Sequence, residues 1–263
     1  MRRRTASVLA AALLVPAVAG GLALGGAGTA EAIANGEPVA EGRFAFSVKL
    51  TMTGIPTADG GKRNSACSGA LIAPQWVITA GHCFRDANGV RVERPVADST
   101  TATVGRTDLT TDTGHQAEVV AVRQSPTADV AIAKIDTVVR DIRPIRIAGS
   151  APRVGAVVRV TGYGSTTSVN PAPVTHLRTG QMTVVSVGES ITGVTGAAPQ
   201  RDTTPCPYDS GGPFFLEQGR RGPALVSVVS TGPSCPHSEV ESSARVDNIR
   251  GWIYRAIRAG RND

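Results

Sequence analysis

From residue 33 to residue 246 the sequence is divided into short apolar or alternating runs, and no amphipathic helical period is sustained before residue 247. The runs predicted as strands are Ala45–Leu50, Gly69–Ile72, Trp76–Thr79, Ala117–Arg123, Val130–Ile135, Ala156–Thr161, Gln181–Val187, Pro213–Leu216, Ala224–Ser230 and Ser243–Val246. Most are bounded by Gly, Pro, Asn or Asp, residues that favour the turns joining antiparallel strands. The 30 Gly and 17 Pro supply that turn chemistry throughout the chain. Strands spaced this way over a whole chain predict an all-β barrel or sandwich. The 263 residues, 41% of them hydrophobic, are enough for one or two cores. A Gly/Pro/Ser-rich stretch near 147–155 is the expected join between two halves, and Thr57–Asn64 and Gly164–Pro173 read as exposed loops. The last segment differs. Asp247 is the expected cap of a helix that places Ile249, Trp252, Ile253, Ala256 and Ile257 on one face.

The N-terminus reads as a secretory signal over residues 1–32. Arg2, Arg3 and Arg4 precede an apolar stretch from Ala6 to about Leu24, and Ala30-Glu31-Ala32 fits a small-x-small cleavage site. Pro16, Gly20 and Gly21 interrupt the stretch, so no retained membrane span is expected. The formal charge of +6 falls to +4 once three Arg and one Glu leave with the signal. No Lys/Arg stripe interleaved with aromatics follows, so nucleic acid is not an expected partner. Four cysteines behind a signal, Cys67, Cys83, Cys206 and Cys235, imply two disulfides, with three pairings open on arithmetic alone. No C-x-x-C occurs and the four His are scattered, so neither a metal nor a cofactor is expected. The Arg-over-Lys bias and high Ala, Gly and Val content point to a GC-rich bacterial genome.

Three segments carry chemistry. Ser210 lies in Cys206-Pro-Tyr-Asp-Ser-Gly-Gly-Pro213. A serine hydroxyl needs a base beside it and backbone N–H groups aimed at a developing oxyanion, and Gly211 and Gly212 let a substrate carbonyl approach. The G-x-S-x-G elbow of α/β-hydrolases is not met, because position 208 is Tyr. His82 follows a strand and the small pair Ala80-Gly81, and imidazole is the side chain suited to moving protons near neutral pH. Asp129 opens the apolar run Asp129-Val-Ala-Ile-Ala-Lys134. A carboxylate there needs a partner if buried, and an imidazole N–H is a suitable one. Asp108, Asp112 and Asp136 compete for the role on sequence alone.

Together these segments resemble the trypsin-like serine peptidase family, in its secreted bacterial form. Thr79-Ala-Gly-His-Cys83 looks like its histidine motif, Asp129–Lys134 like its aspartate strand, and Asp209-Ser-Gly-Gly-Pro213 like its serine motif. The order His, Asp, Ser is the family's order, with gaps of 47 and 81 residues, and the resemblance runs from Ile33 to the C-terminal helix. It implies two antiparallel six-stranded β-barrels with a C-terminal α-helix and the site in the cleft between the barrels. It implies the triad His82, Asp129 and Ser210, the pairings Cys67–Cys83 and Cys206–Cys235, and protein or peptide substrates. A secreted monomer is expected, with activity that falls at acidic pH as His82 takes up a proton. The alternative is a weak or inactive homologue serving as a binding module.

Further positions gain meaning from the resemblance. Ile33-Ala-Asn-Gly36 resembles the family's mature N-terminus, whose freed amine would pair with Asp209. Ser230-Thr231-Gly232 aligns with the substrate-binding strand, where the family usually has an aromatic residue at Thr231. Thr204 is expected at the base of the specificity pocket and is not the Asp of trypsin. Glu241 is expected to reach that pocket from the far wall. The oxyanion donors are expected to be the N–H groups of Tyr208 and Ser210. Position 208 is normally Gly, whose backbone conformation Tyr adopts less readily.

Overall fold

The computed structural model describes residues 32–260. The expected signal segment lies outside the described residues except for Ala32. No helix among the described residues is long and apolar enough to cross a membrane. The described residues form fourteen strands. After β1 (Glu37–Pro38), a first set comprises β2 (Ser47–Pro56), β3 (Lys62–Ala73), β4 (Trp76–Thr79), β5 (Ser99–Val104), β6 (His115–Gln124) and β7 (Ala131–Ile135). These close antiparallel in the order β2-β3-β4-β7-β6-β5. The second set comprises β9 (Val157–Gly162), β10 (Arg178–Val187), β11 (Ile191–Ala198), β12 (Pro213–Glu217), β13 (Pro223–Thr231) and β14 (Glu241–Arg245). Their order is β9-β10-β11-β14-β13-β12, and β12 pairs back onto β9 to close the ring. The short β8 (Arg146–Ile147) lies parallel to β13, and β1 pairs with β10. The protein is thus two six-stranded antiparallel barrels followed by one helix, α1 (Arg250–Ala259).

Alternation explains the barrels. Val48, Leu50, Val77, Ile78, Val104 and Ile132 fill the first core, and Val158, Val160, Met182, Val184, Val194 and Phe214 fill the second. Each such side chain contributes about 1.5–3 kcal/mol on burial. Ile253 and Ile257 of α1 pack into the first cluster, as the helical spacing requires. Asp247 does not cap α1. The cap position is Ile249, and the Asp247 carboxylate accepts instead from Arg245 Nη2 at 2.8 Å. Two of the twelve barrel strands escape the sequence pattern, as do the short β1 and β8. β5 (Ser99–Val104) is largely Thr and Ser, and β11 (Ile191–Ala198) is interrupted by Gly193 and Gly196.

The start of β2 is buried on both faces, because its outer face meets the second barrel. The Ser47 hydroxyl lies 2.8 Å from that of Thr161, and Lys49 Nζ donates to Tyr163 O at 2.9 Å. The segments that carry His82, Asp129 and Ser210 lie along this seam.

Candidate active site

His82 sits on a single 3-10 turn, Gly81–Phe84, directly after β4. Cys83 in that turn is bonded to Cys67 on β3, so the imidazole is held to two neighbouring strands. Asp129 precedes β7, which pairs with β4, so both side chains emerge at the same end of the barrel. Asp129 Oδ2 is 2.7 Å from His82 Nδ1, and Asp129 Oδ1 accepts the His82 backbone N–H at 2.9 Å. A third donor comes from the other barrel: the Ser230 hydroxyl donates to Asp129 Oδ2 at 2.8 Å. Burial pushes the Asp129 carboxyl up, but the hydrogen bonds and charge of His82 and the Ser230 hydroxyl outweigh it and hold the group at about 2. Asp108 and Asp136 bond elsewhere, to Thr110 and to Glu118 and Thr137, and take no part in this cluster.

Ser210 lies in a loop tied to both barrels. Its carbonyl accepts from Ser68 N at 2.9 Å, and Gly211 N donates to Val229 O at 2.8 Å. Gly211 has φ +83°, and a Cβ there would lie 2.0 Å from Thr79 Oγ1 and 2.5 Å from Ala80 N. Only glycine therefore lets the serine loop press against the residues that lead into His82. The Ser210 hydroxyl shares no hydrogen bond with the His82 ring in this structure. In unliganded hydrolases such bonds are often long and tighten with substrate. Tyr208 adopts φ +76°, and neither its N–H nor that of Ser210 donates to an acceptor among the described residues. Both amides are thus free for an external oxyanion. The left-handed backbone costs a non-glycine residue about 1 kcal/mol or more. Tyr208→Gly should therefore raise the unfolding midpoint by about 2–4 °C, read by thermal denaturation.

A cavity of about 320 Å³ runs from Ser210 past Ser230, Thr231 and Gly232 to Glu241, beside the Cys206–Cys235 disulfide. Glu241 is 3% exposed and lies 3.2 Å from His237 Nε2. Burial, and then the charge of Asp209, push its carboxyl up to about 8. A Cβ on Gly232 would lie 1.7 Å from Glu241 Oε2, so the absence of a side chain at 232 is what admits the carboxyl. Thr204 is fully buried, its N–H donates to Ala34 O at 3.2 Å, and the neighbouring Pro205 lines the cavity.

A family profile described as trypsin matches residues 33–253. The chain belongs to the trypsin family. Among the similar proteins are trypsin delta of Drosophila erecta, 25% identical over 83% of this chain and 90% of that protein. Trypsin epsilon of the same species is 28% identical over 73% of this chain and 78% of its own length. Trypsin delta of Drosophila melanogaster is 26% identical over 82% and 89%. With the family come a serine peptidase activity in general terms and the two-barrel fold.

Within this trypsin-family chain, Ile33 is fully buried and its N–H lies 3.4 Å from Asp209 Oδ2. Asp209 also accepts from Cys206 N and Gly164 N, at 2.9 and 2.8 Å. Burial pushes its carboxyl up to about 6, against these bonds and the charge of Lys49. Sequence reasoning missed several contributors. Ser68 joins the halves with its hydroxyl and its N–H: the hydroxyl donates to Tyr208 O and accepts from Tyr163 N, each at 3.1 Å, and the N–H donates to Ser210 O. Arg91 Nη1 stands 3.8 Å from Asp129 Oδ1 while donating to Ala128 O at 2.8 Å. His237 backs Glu241. No local motif marks Ser68 or Arg91, since each acts on residues distant in the chain, whereas His237 lies only four residues before Glu241.

Proposed function

We propose that this protein is a secreted serine endopeptidase, bacterial by its composition, that cleaves peptide bonds through an acyl-enzyme. The observation that carries this is the Asp129 carboxylate, partly buried and gripped by His82 through both its ring and its backbone. That arrangement fixes the proton on Nδ1 and leaves Nε2 as the base. Ser210 Oγ attacks the scissile carbonyl as His82 takes its proton. The carbonyl oxygen gains the charge and is held by the N–H groups of Tyr208 and Ser210. His82 then gives the proton to the leaving amine, the C–N bond breaks, and water repeats the sequence to release the acid. An organophosphonate probe tests this directly. A single adduct on Ser210, found by mass spectrometry of the tryptic peptide and lost on prior acidification, is the expected result. A protein that stays unlabelled across neutral pH is the binding homologue instead.

Export is proposed to generate the working N-terminus. Cleavage after Ala32 leaves Ile33 as the first residue, beside Asp209. N-terminal sequencing of secreted protein should read Ile-Ala-Asn-Gly.

Specificity is assigned to Glu241 rather than Thr204. A Lys or Arg side chain before the cut meets the Glu241 carboxyl and displaces the proton that burial keeps on it near neutral pH. Preference for Lys or Arg over Gln at that position should therefore rise as pH climbs through about 8. Glu241→Gln should lower kcat/KM on basic substrates at least about 30-fold, the equivalent of about 2 kcal/mol, and leave neutral ones nearly unchanged. A peptide panel differing only before the cut reads both; equal losses on all substrates would remove Glu241 from the role.

A further inference from the structure

Lys49 is a buried charge that the triad does not use. It lies on β2 of the first barrel, 4% exposed, among residues that alternate into the core. Its ammonium donates to Tyr163 O at 2.9 Å. The next amide in the chain, Gly164 N–H, belongs to the same peptide unit and donates to Asp209 Oδ1 at 2.8 Å. One peptide group therefore stands between a cation and an anion, its oxygen towards the ammonium and its N–H towards the carboxylate. Each charge polarises the group so that it holds the other more strongly. Lys49 Nζ also lies 5.9 Å from the ring centroid of Tyr208, the residue before Asp209.

The charge balance of Asp209 makes this arrangement consequential. A buried carboxylate is costly unless a counter-charge reaches it. With Ala32 attached, the nitrogen of Ile33 is an uncharged amide, and it sits 3.4 Å from the carboxylate. Among the described residues, Lys49 is the cation whose charge acts on Asp209. Burial pulls the Lys49 ammonium down to about 8, and Asp209 acts in the opposite sense.

We propose that Lys49 is a positioning residue, a built-in counter-charge that acts on Asp209 through the Tyr163–Gly164 peptide and holds the Cys206–Gly212 loop ready without a freed amine at Ile33. The inference rests on the peptidase reading above. Its functional content is that the chain does not depend on N-terminal processing alone to order the Tyr208 and Ser210 amides.

The test is a two-by-two comparison. One axis is protein that begins at Ile33 against protein that keeps Ala32. The other is Lys49 against Lys49→Gln, which can still donate to Tyr163 O but carries no charge. Keeping Ala32 should lower kcat less than about tenfold when Lys49 is present, and roughly 10²-fold in Lys49→Gln, with KM little changed, because the oxyanion amides are what is disturbed. Lys49→Arg should restore the parent response. The same cycle in unfolding midpoints reads the coupling without turnover: keeping Ala32 should cost the variant more than the parent. Equal effects of Ala32 in both backgrounds, in kcat and in midpoint, overturn the proposal. A parent protein that begins at Ile33 and yet neither labels at Ser210 nor cleaves peptides overturns the peptidase reading instead, and the midpoint cycle still decides the role of Lys49.

Discussion

Ser210→Ala lowers kcat by about 10⁶-fold, with KM nearly unchanged, when single-turnover and steady-state cleavage of a good peptide substrate are compared with the parent. The size follows from what the serine alone supplies. Without Oγ no acyl-enzyme forms, and His82 and Asp129 have no proton to move, so the loss equals that of removing all three. About 10³–10⁴-fold acceleration over water should remain from binding and from the Tyr208 and Ser210 amides, since alanine keeps its N–H. Stability should change by less than about 1 kcal/mol, because Ser210 Oγ makes no hydrogen bond among the described residues. A variant that keeps more than a few per cent of parental turnover would remove Ser210 as nucleophile.

Asp129→Asn lowers kcat/KM by about 10⁴-fold near neutral pH. Three donors converge on this carboxylate: the His82 N–H at 2.9 Å, the His82 Nδ1 position at 2.7 Å and the Ser230 hydroxyl at 2.8 Å. An amide offers one accepting oxygen and one donating NH2. If the oxygen faces the backbone N–H, the NH2 faces Nδ1 and Ser230, and the imidazole answers by moving its proton to Nε2, where it blocks attack. The opposite orientation sets NH2 against the backbone N–H and orphans a donor. Stability shifts with pH in a defined sense. The Asp129 carboxyl is held at about 2, below its ordinary value, so its contribution is complete above about pH 4 and is lost as pH falls through 2. Parent protein should therefore lose stability over that window faster than Asp129→Asn does, in acid titrations followed by circular dichroism. Matching curves would separate Asp129 from the grip described.

The residues of the proposed triad were legible because each lies in a short run of fixed composition: Ala80-Gly-His-Cys83, Asp129-Val-Ala, and Asp209-Ser-Gly-Gly. The barrels were legible where Val, Ile and Leu alternate. They were not legible in β5 (Ser99–Val104), where Thr fills the strand, or in β11 (Ile191–Ala198), where glycines break the pattern. Thr204 was placed by its offset from Ser210, and an offset carries no information on its full burial or its bond to Ala34 O. Lys49 shares the polar face of its strand with Ser47 and Thr51. Its burial arises only because a second barrel covers that face, and no property of β2 announces the neighbour. Ser68 was hidden for the same reason, and Arg91 because its partners Ala128 and Asp129 lie far along the chain.

The polar seam has an implication for the order of events during synthesis. The half carrying His82 and Asp129 leaves the ribosome first, and the nucleophile emerges more than eighty residues after the base. Ser68 bonds to Tyr163, Tyr208 and Ser210, and Ser230 bonds to Asp129, only once the second barrel docks. Until then neither half holds a complete hydrolytic centre. On this reading the nascent chain is harmless to its own cell by geometry, and the last step of folding is also the step that arms it.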